Sequence, residues 1–270
     1  MHPYLNIAVK AARLAGTIIV RNLEQLDKIP IYEKGKNDFV THVDRAAESA
    51  IIDTIQKAYP DHSILGEESG YHPGNEFTWV IDPLDGTSNY IHGFPQFAVS
   101  IAIKQKGHIE HGVIYDPLSQ DLYTASRGGG AQLNNRRIRV SSRESLQGSL
   151  IGSAYSGYDR EGNAQELSHI KIFDTLFKQG ADLRNIGSAA LNLCYVASGR
   201  LDGFWESDLK EWDIAAGVII VREAGGFVSD YNGENGFLES GNIIAGTRKV
   251  YSELSLIIQN DSNSPHSVQL

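Results

Sequence analysis

Residues 79–102 read WVIDPLDGTSNYIHGFPQFAVSIA. The run TWVID (78–82) is short, apolar and closed by a turn, which predicts a buried strand. FAVSIAIK (97–104) predicts a second one. Between them lies DPLDGTSN (82–89), with Asp82 and Asp85 on either side of Pro83 and Leu84. A residue before proline avoids the helical region, so Asp82 is expected to end its strand extended. The turn that follows can bring both carboxylates and the Leu84 carbonyl toward one point. Oxygen donors of this kind suit a hard cation such as magnesium. Gly86 lets the backbone approach a ligand closely. Thr87 and Ser88 then present amides and hydroxyls at a helix start, an arrangement that receives a phosphate. Taken alone, the segment fits an Asp-Pro turn with a capping aspartate nearly as well.

Two flanking segments shift that balance. GEES (66–69) follows the apolar pair Ile64 and Leu65, and EWDIAAG (211–217) opens a helix at Asp213. An aspartate there serves as a helix cap, a role compatible with giving its other oxygen to a metal. Convergence of Glu67, Asp82, Asp85 and Asp213 would need its repulsion offset. Two like charges about 4 Å apart cost about 4 kcal/mol at an effective dielectric of about 20. Four such groups are tolerable only with cations, or with protons held by raised pKa values. Convergence therefore predicts a site for two or more divalent ions. Such ions can activate a water and stabilise the leaving oxygen of an in-line displacement, as in phosphate ester hydrolysis.

The rest of the chain supplies a frame. Ile7, Ala11, Leu14, Ala15 and Ile18 recur at helical spacing, as do Val43, Ala47, Ile51 and Ile55 behind a Thr41 cap with Asp44 three residues on. HGVIYD (111–116) and DLYTAS (121–126) predict further strands, so the first half reads as helices packed on an antiparallel sheet. After SLIGS (149–153), Leu167, Ile170, Phe173, Leu176 and Phe177 predict a helix. Residues 188–198 predict another, closed by Gly199. DGFWE (202–206), the helix at 213–226 and the strands GFVSD and NIIAG complete a layered α/β half. The expected division is 1–145 and 146–260, with 261–270 a frayed tail.

Composition excludes several classes. The chain has 270 residues, 41% hydrophobic and 21% charged, an ordinary globular balance. A net charge of -9 disfavours non-specific binding to nucleic acid or anionic lipid. Arg136, Arg137, Arg139 and Arg143 form the one dense basic run and read as a solvated strand edge. The single cysteine, Cys194, allows no intrachain disulfide and fits a cytoplasmic, reducing setting. No stretch is apolar enough to span a bilayer. There is no GxSxG elbow and no GxxxxGK[ST] loop. The glycines at 128–130 suit a hairpin, His108 and His111 read as surface residues, and Cys194 reads as core.

Together GEES, WVIDPLDGTSNYIHGFPQFAVSIA and WESDLKEWDIAAG resemble the inositol monophosphatase family, in its order and spacing, over nearly the whole chain. The opening MHPYLNIAVKAARLAG and the stretch ADLRNIGSAALNLCYVASGRLDGFWE are most similar to its bacterial SuhB branch. The resemblance implies the layered αβαβα sandwich of the sugar phosphatases. It implies two or three Mg2+ ions held by Glu67, Asp82, the Leu84 carbonyl, Asp85 and Asp213. Thr87, hydrogen-bonded to Asp44 of VTHVD (40–44), and Glu67 would assist the nucleophilic water. Substrate contacts would come from Asp85, Gly86, Thr87, Ser88, Ala189 and Glu206, with the Gly86 and Thr87 amides on phosphate and Glu206 on inositol hydroxyls. The family implies a homodimer and inhibition by lithium.

Ser88 and Tyr90 depart mildly from the family's GTTNF, whereas IGSAYSGY (151–158) and SDLKE (207–211) depart more. These segments put the substrate in doubt rather than the metal site. Fructose 1,6-bisphosphate, a nucleotide 3′-phosphate or histidinol phosphate are rivals to inositol phosphate. A second class is a transcription-complex binding protein on the same fold, since the SuhB branch is linked to ribosomal RNA transcription. Arg184 and the arginines at 136–143 would then mark its basic surface. No metal ligand is missing from the sequence, which favours activity.

Overall fold

The computed structural model describes residues 2–23, 31–35, 38–154 and 168–262. Helices α1 (Pro3–Leu23) and α2 (His42–Ala58) flank a ribbon of β1 (Ile31–Gly35) and β2 (Asp38–Thr41). Eight strands follow as one sheet: β3 (Ser63–Gly66), β4 (Gly70–His72), β5 (Phe77–Asp85), β6 (Ala98–Gln105), β7 (His108–Asp116), β8 (Asp121–Ser126), β9 (Gly130–Leu133) and β10 (Arg136–Arg137). The one-turn helix α3 (Thr87–Ile91) lies between β5 and β6. A five-stranded sheet takes β11 (Leu150–Ser153), β12 (Asp182–Arg184), β13 (Gly203–Glu206), β14 (Phe227–Ser229) and β15 (Ile243–Gly246). Helices α4 (Ser168–Lys178), α5 (Ala189–Ala197), α6 (Glu211–Glu223), α7 (Phe237–Ser240) and α8 (Arg248–Ser262) accompany it.

Side-chain alternation assigns the layers. Trp79, Ile81, Val99, Ile101 and Ile103 point to one face of the large sheet, where they bury Ala8, Ala11, Ala15 and Ile19 of α1 and Val43, Ala47, Ile51 and Ile55 of α2. Val80, Ala98, Ala102 and Ile114 point to the other face, onto α5 and α6. Phe204, Ile243 and Ala245 of the small sheet close on those same two helices. Their neighbours Trp205 and Ile244 turn outward to meet Ile172 and Leu176 of α4 and Leu254 and Ile258 of α8. The order is helices, sheet, helices, sheet, helices: a layered αβαβα sandwich. Strands covered on both faces read as the near-continuous apolar runs seen in WVI and FAVSIAI.

Several expectations are corrected. The large sheet is mixed, because β3 runs parallel to β5 while β5 to β10 are antiparallel. Leu14, Ile170 and Phe177 are 45%, 50% and 63% exposed, so the apolar stripes of α1 and α4 were placed off their true phase. Helix α1 instead buries small alanines, which let it lie close to α2. Helix α8 continues to Ser262, into the expected tail. Residues 155–158 of IGSAYSGY, Leu167 and the tail from 263 lie outside the described residues. No helix among the described residues is long and apolar enough to cross a membrane.

His111 is not a surface residue. It is 8% exposed, its Nδ1 lies 2.8 Å from Ser126 Oγ, and its ring stacks on His2 with centroids 4.4 Å apart. Burial, with a smaller push from His2, lowers its pKa from 6.5 to about 4. The fold thus holds His111 neutral where the unfolded chain would take up a proton. Its contribution is intact above pH 6.5 and is lost as pH falls from there toward 4. His111→Gln keeps an acceptor for Ser126 and should show a shallower fall of Tm across that window than the parent. Equal slopes would refute this account.

Candidate metal and phosphate site

Parallel pairing sets Gly66 of β3 opposite Ile81 of β5, and the Glu67 N–H donates to the Ile81 carbonyl at 3.1 Å. Glu67 therefore leaves its strand beside Asp82. Along β6, Asp82 lies opposite Ser100 and Asp85 opposite Ala98, so three steps on β5 match two on β6. That is a one-residue bulge. In a straight strand residues three apart face opposite sides, and the extra residue returns Asp85 to the side of Asp82. Pro83 fits here because a bulge does not need its missing N–H. The strand thus runs three residues past the end expected at Asp82. Leu84 N–H donates to Asp82 Oδ1 at 2.9 Å and fixes that carboxylate.

Asp213 arrives from the middle helical layer. It is the third residue of α6, and its Oδ2 accepts the Lys210 N–H at 2.7 Å. It caps the helix from inside the first turn rather than preceding it. Asp85 meets the start of α5: its Oδ2 accepts the Ser188 hydroxyl and the Ala190 N–H at 2.9 Å, and the Ala189 N–H also bonds to it. Ser188 is at once the cap of α5, accepting the Leu191 N–H at 3.1 Å.

Asp82, Asp85 and Asp213 are 2%, 8% and 7% exposed. Burial, then the charges of Glu67, Asp85 and Asp213, raise the Asp82 pKa well above the carboxylate range. Burial, then Asp213, raise Asp85 to about 7, against the pull of its hydrogen bonds to Ser188, Ala190 and Ala189. Asp82 thus lies within the fields of Glu67, Asp85 and Asp213, and Asp85 within that of Asp213. Among the described residues, no three acidic, histidine or cysteine side chains close tightly enough around one point to cage an ion as they stand. The donor chemistry, carboxylates and a carbonyl that are all hard oxygen, fits divalent magnesium.

Thr87 stands next to this cluster at the start of α3. Its hydroxyl is 3.1 Å from Asp44 Oδ1 and 3.0 Å from the Leu84 carbonyl. Asp44 is 1% exposed on α2. Gly86 has φ 90°, and a Cβ there would lie 2.8 Å from the Gln96 carbonyl. Ser88 is exposed on α3. Ala189 is the buried first residue of α5, and Glu206 is the half-buried last residue of β13 on the second sheet. The structure therefore gathers Glu67, Asp82, Leu84, Asp85, Gly86, Thr87, Asp44, Ala189 and Asp213 from three layers: α2, the large sheet with the turn after it, and the middle helices. Glu206 stands on the second sheet, seven residues before Asp213 in the chain.

Three supporting residues escaped the sequence reading. Glu48 is 2% exposed and accepts the Glu68 and Ser69 N–H groups at 2.9 and 2.8 Å. Its signal was a second acidic residue one helical turn past Asp44, beside an apolar stripe. Ser188 was readable as a cap but not as the partner of Asp85. Asn89 Nδ2 donates to the Gln96 and Ile186 carbonyls at 2.7 and 2.8 Å, tying α3 to the loop before α5. Nothing in local sequence marks a contact of that separation.

Comparison with known proteins places the chain and its fold in one family. A model of the inositol monophosphatase family matches residues 1–263. "Nus factor SuhB" of Pseudomonas aeruginosa is 51% identical over 263 residues, covering 96% of this chain and 97% of that one. The crystal structure of extragenic suppressor protein suhB from Bartonella henselae is 40% identical, with a TM-score of 0.91 over 96% of this chain and 99% of that one. Inositol monophosphatase from Anabaena (Nostoc) sp. is 35% identical, with a TM-score of 0.81 and 95% of each chain covered. Family model, relatives and fold coincide along the full sandwich: the chain belongs to the inositol monophosphatase family.

Proposed function

We propose that this protein hydrolyses a small phosphate monoester with magnesium, and that myo-inositol monophosphate is its substrate. The observation that carries this is the mutual field of Glu67, Asp82, Asp85 and Asp213 beside a threonine hydroxyl bonded to a buried aspartate. Glu67, Asp82, the Leu84 carbonyl, Asp85 and Asp213 would hold two or three Mg2+ ions, supplying positive charge to the attacking water and the leaving oxygen. Thr87 gives its proton to Asp44 and keeps its lone pairs for the water, which it orients toward phosphorus. Glu67 is the second acceptor for that water. The Gly86 and Thr87 amides, with Ser88, receive the phosphoryl oxygens, while Asp85, Ala189 and Glu206 receive the polyol. In this reading the half up to about residue 145 carries most of the metal donors, and 146–260 carries the substrate side and Asp213. A cytoplasmic homodimer is part of the same proposal.

The test is phosphate release from myo-inositol 1-phosphate with magnesium titrated and lithium added. Magnesium-dependent turnover suppressed by lithium is the expected result. Turnover only with another sugar or nucleotide ester would keep the reaction and change the substrate. No turnover with any ester of such a panel would sink the reading.

A second role is favoured by one observation, the relatives named Nus factor SuhB at 51% identity. We infer that a transcription-complex partner can share this fold with the phosphatase site. A variant without turnover that still binds such a partner would separate the two roles.

A further inference from the structure

We propose that Glu48 is a positioning residue of the metal site, fixing from beneath the loop that presents Glu67. The assignment rests on the phosphatase reading above. The turn between β3 and β4 opens at Gly66 and closes at Gly70, which pair with each other. Three successive amides inside it are fixed. Glu67 N–H goes to Ile81 of β5, and Glu68 and Ser69 N–H go to the two oxygens of Glu48. One buried carboxylate thus spans two neighbouring donors, in bonds that a charge strengthens. The loop is shaped for it. A Cβ at Gly66 would lie 2.7 Å from Glu48 Oε2, so only glycine leaves room for the carboxylate to reach the amides.

Glu48 also shares a helix with Asp44. The two lie four residues apart, one turn of α2, and both are buried. Asp44 holds the Thr87 hydroxyl, and Glu48 holds the N–H groups of the two peptides that follow Glu67, Glu67–Glu68 and Glu68–Ser69. A single rigid helix therefore sets both groups assigned to the attacking water. A carboxylate that merely capped a turn would stabilise the loop without affecting metal affinity. The two roles are thus separable by experiment.

Glu48→Gln keeps the shape but turns one acceptor oxygen into an NH2 that faces a backbone N–H. Partners of metal ligands cost about 10–100-fold in metal affinity when altered. Calorimetric titration of the purified protein with Mg2+ should show a dissociation constant raised by about that factor. At saturating Mg2+ the KM for the ester should stay within about twofold, since the substrate side is untouched. Hydrogen exchange at the Glu68 and Ser69 amides should accelerate while β5 amides keep their protection. Unchanged Mg2+ affinity overturns the assignment. So does weakened affinity with both amides still protected, because the loop would not be the route. If Glu48→Gln unfolds, Glu48→Asp, which keeps the charge and withdraws it by one methylene, decides by the same two readouts. A parent protein that neither binds Mg2+ nor releases phosphate overturns the phosphatase reading itself, whereas a parent that binds beside an unmoved variant overturns only Glu48.

Discussion

Asp213→Asn is expected to release phosphate about 10³-fold more slowly at saturating magnesium, a loss of about 4 kcal/mol of transition-state stabilisation. The same variant is expected to melt higher than the parent when magnesium is chelated at pH 8. Asparagine keeps the oxygen that accepts the Lys210 N–H, so the start of α6 is preserved. What disappears is one charge that acts on both Asp82 and Asp85. Relief of about 1 kcal/mol corresponds to a rise of about 2–4 °C in a chain of this size. Opposite signs for activity and metal-free stability mark a group kept for chemistry rather than for folding. Kinetics and melting curves in EDTA check both. Retained turnover would remove Asp213 from the site, and a lower melting point would refute the repulsion argument.

Gly86→Ala is expected to cost about 3 kcal/mol and lower Tm by about 6–12 °C, with phosphate release lost in step. Two costs combine. At φ 90° a side chain is strained in open space. Here the added Cβ would also lie 2.8 Å from the Gln96 carbonyl and 3.2 Å from the Gly187 carbonyl, both of them backbone. Neither atom can turn aside as a side chain would. Gly107 separates the two costs, for it has φ 82° with nothing within 4 Å of the added atom. Gly107→Ala should lose about 1 kcal/mol, the conformational part alone. Equal losses at the two positions would show that the Gly86 contacts relax freely.

The reach of sequence reasoning follows sequence distance. The turn read at 82–85, which the structure builds as a bulge inside β5, and the glycine at 86 are local, and their signals are readable because turn chemistry fixes the backbone within a few residues. The αβαβα layering was legible as a resemblance, and the apolar runs WVI and FAVSIAI agree with it. Helix phase was less secure, since α1 packs by small alanines and leaves Leu14 in solvent. His111 was misread because its burial comes from His2, 109 residues away, stacking over its ring. Glu48, Ser188 and Asn89 were missed for the same reason. Each looks ordinary locally, and its long-range partner lies 20 to 103 residues away.

The grip of α5 on Asp85 constrains how the molecule can breathe. The carboxylate grows from the large sheet, while its three donors sit on a helix that also lines the small sheet. Sliding the middle layer away would strip a buried anion of all three bonds together. Each such loss costs about 1–3 kcal/mol, so the three together make an open middle layer a rare state. Entry and exit of a ligand are then expected to leave the layers in contact, with the sandwich itself acting as a fixed anvil. Turnover would be limited by loop motion or by chemistry, and not by opening of the layers.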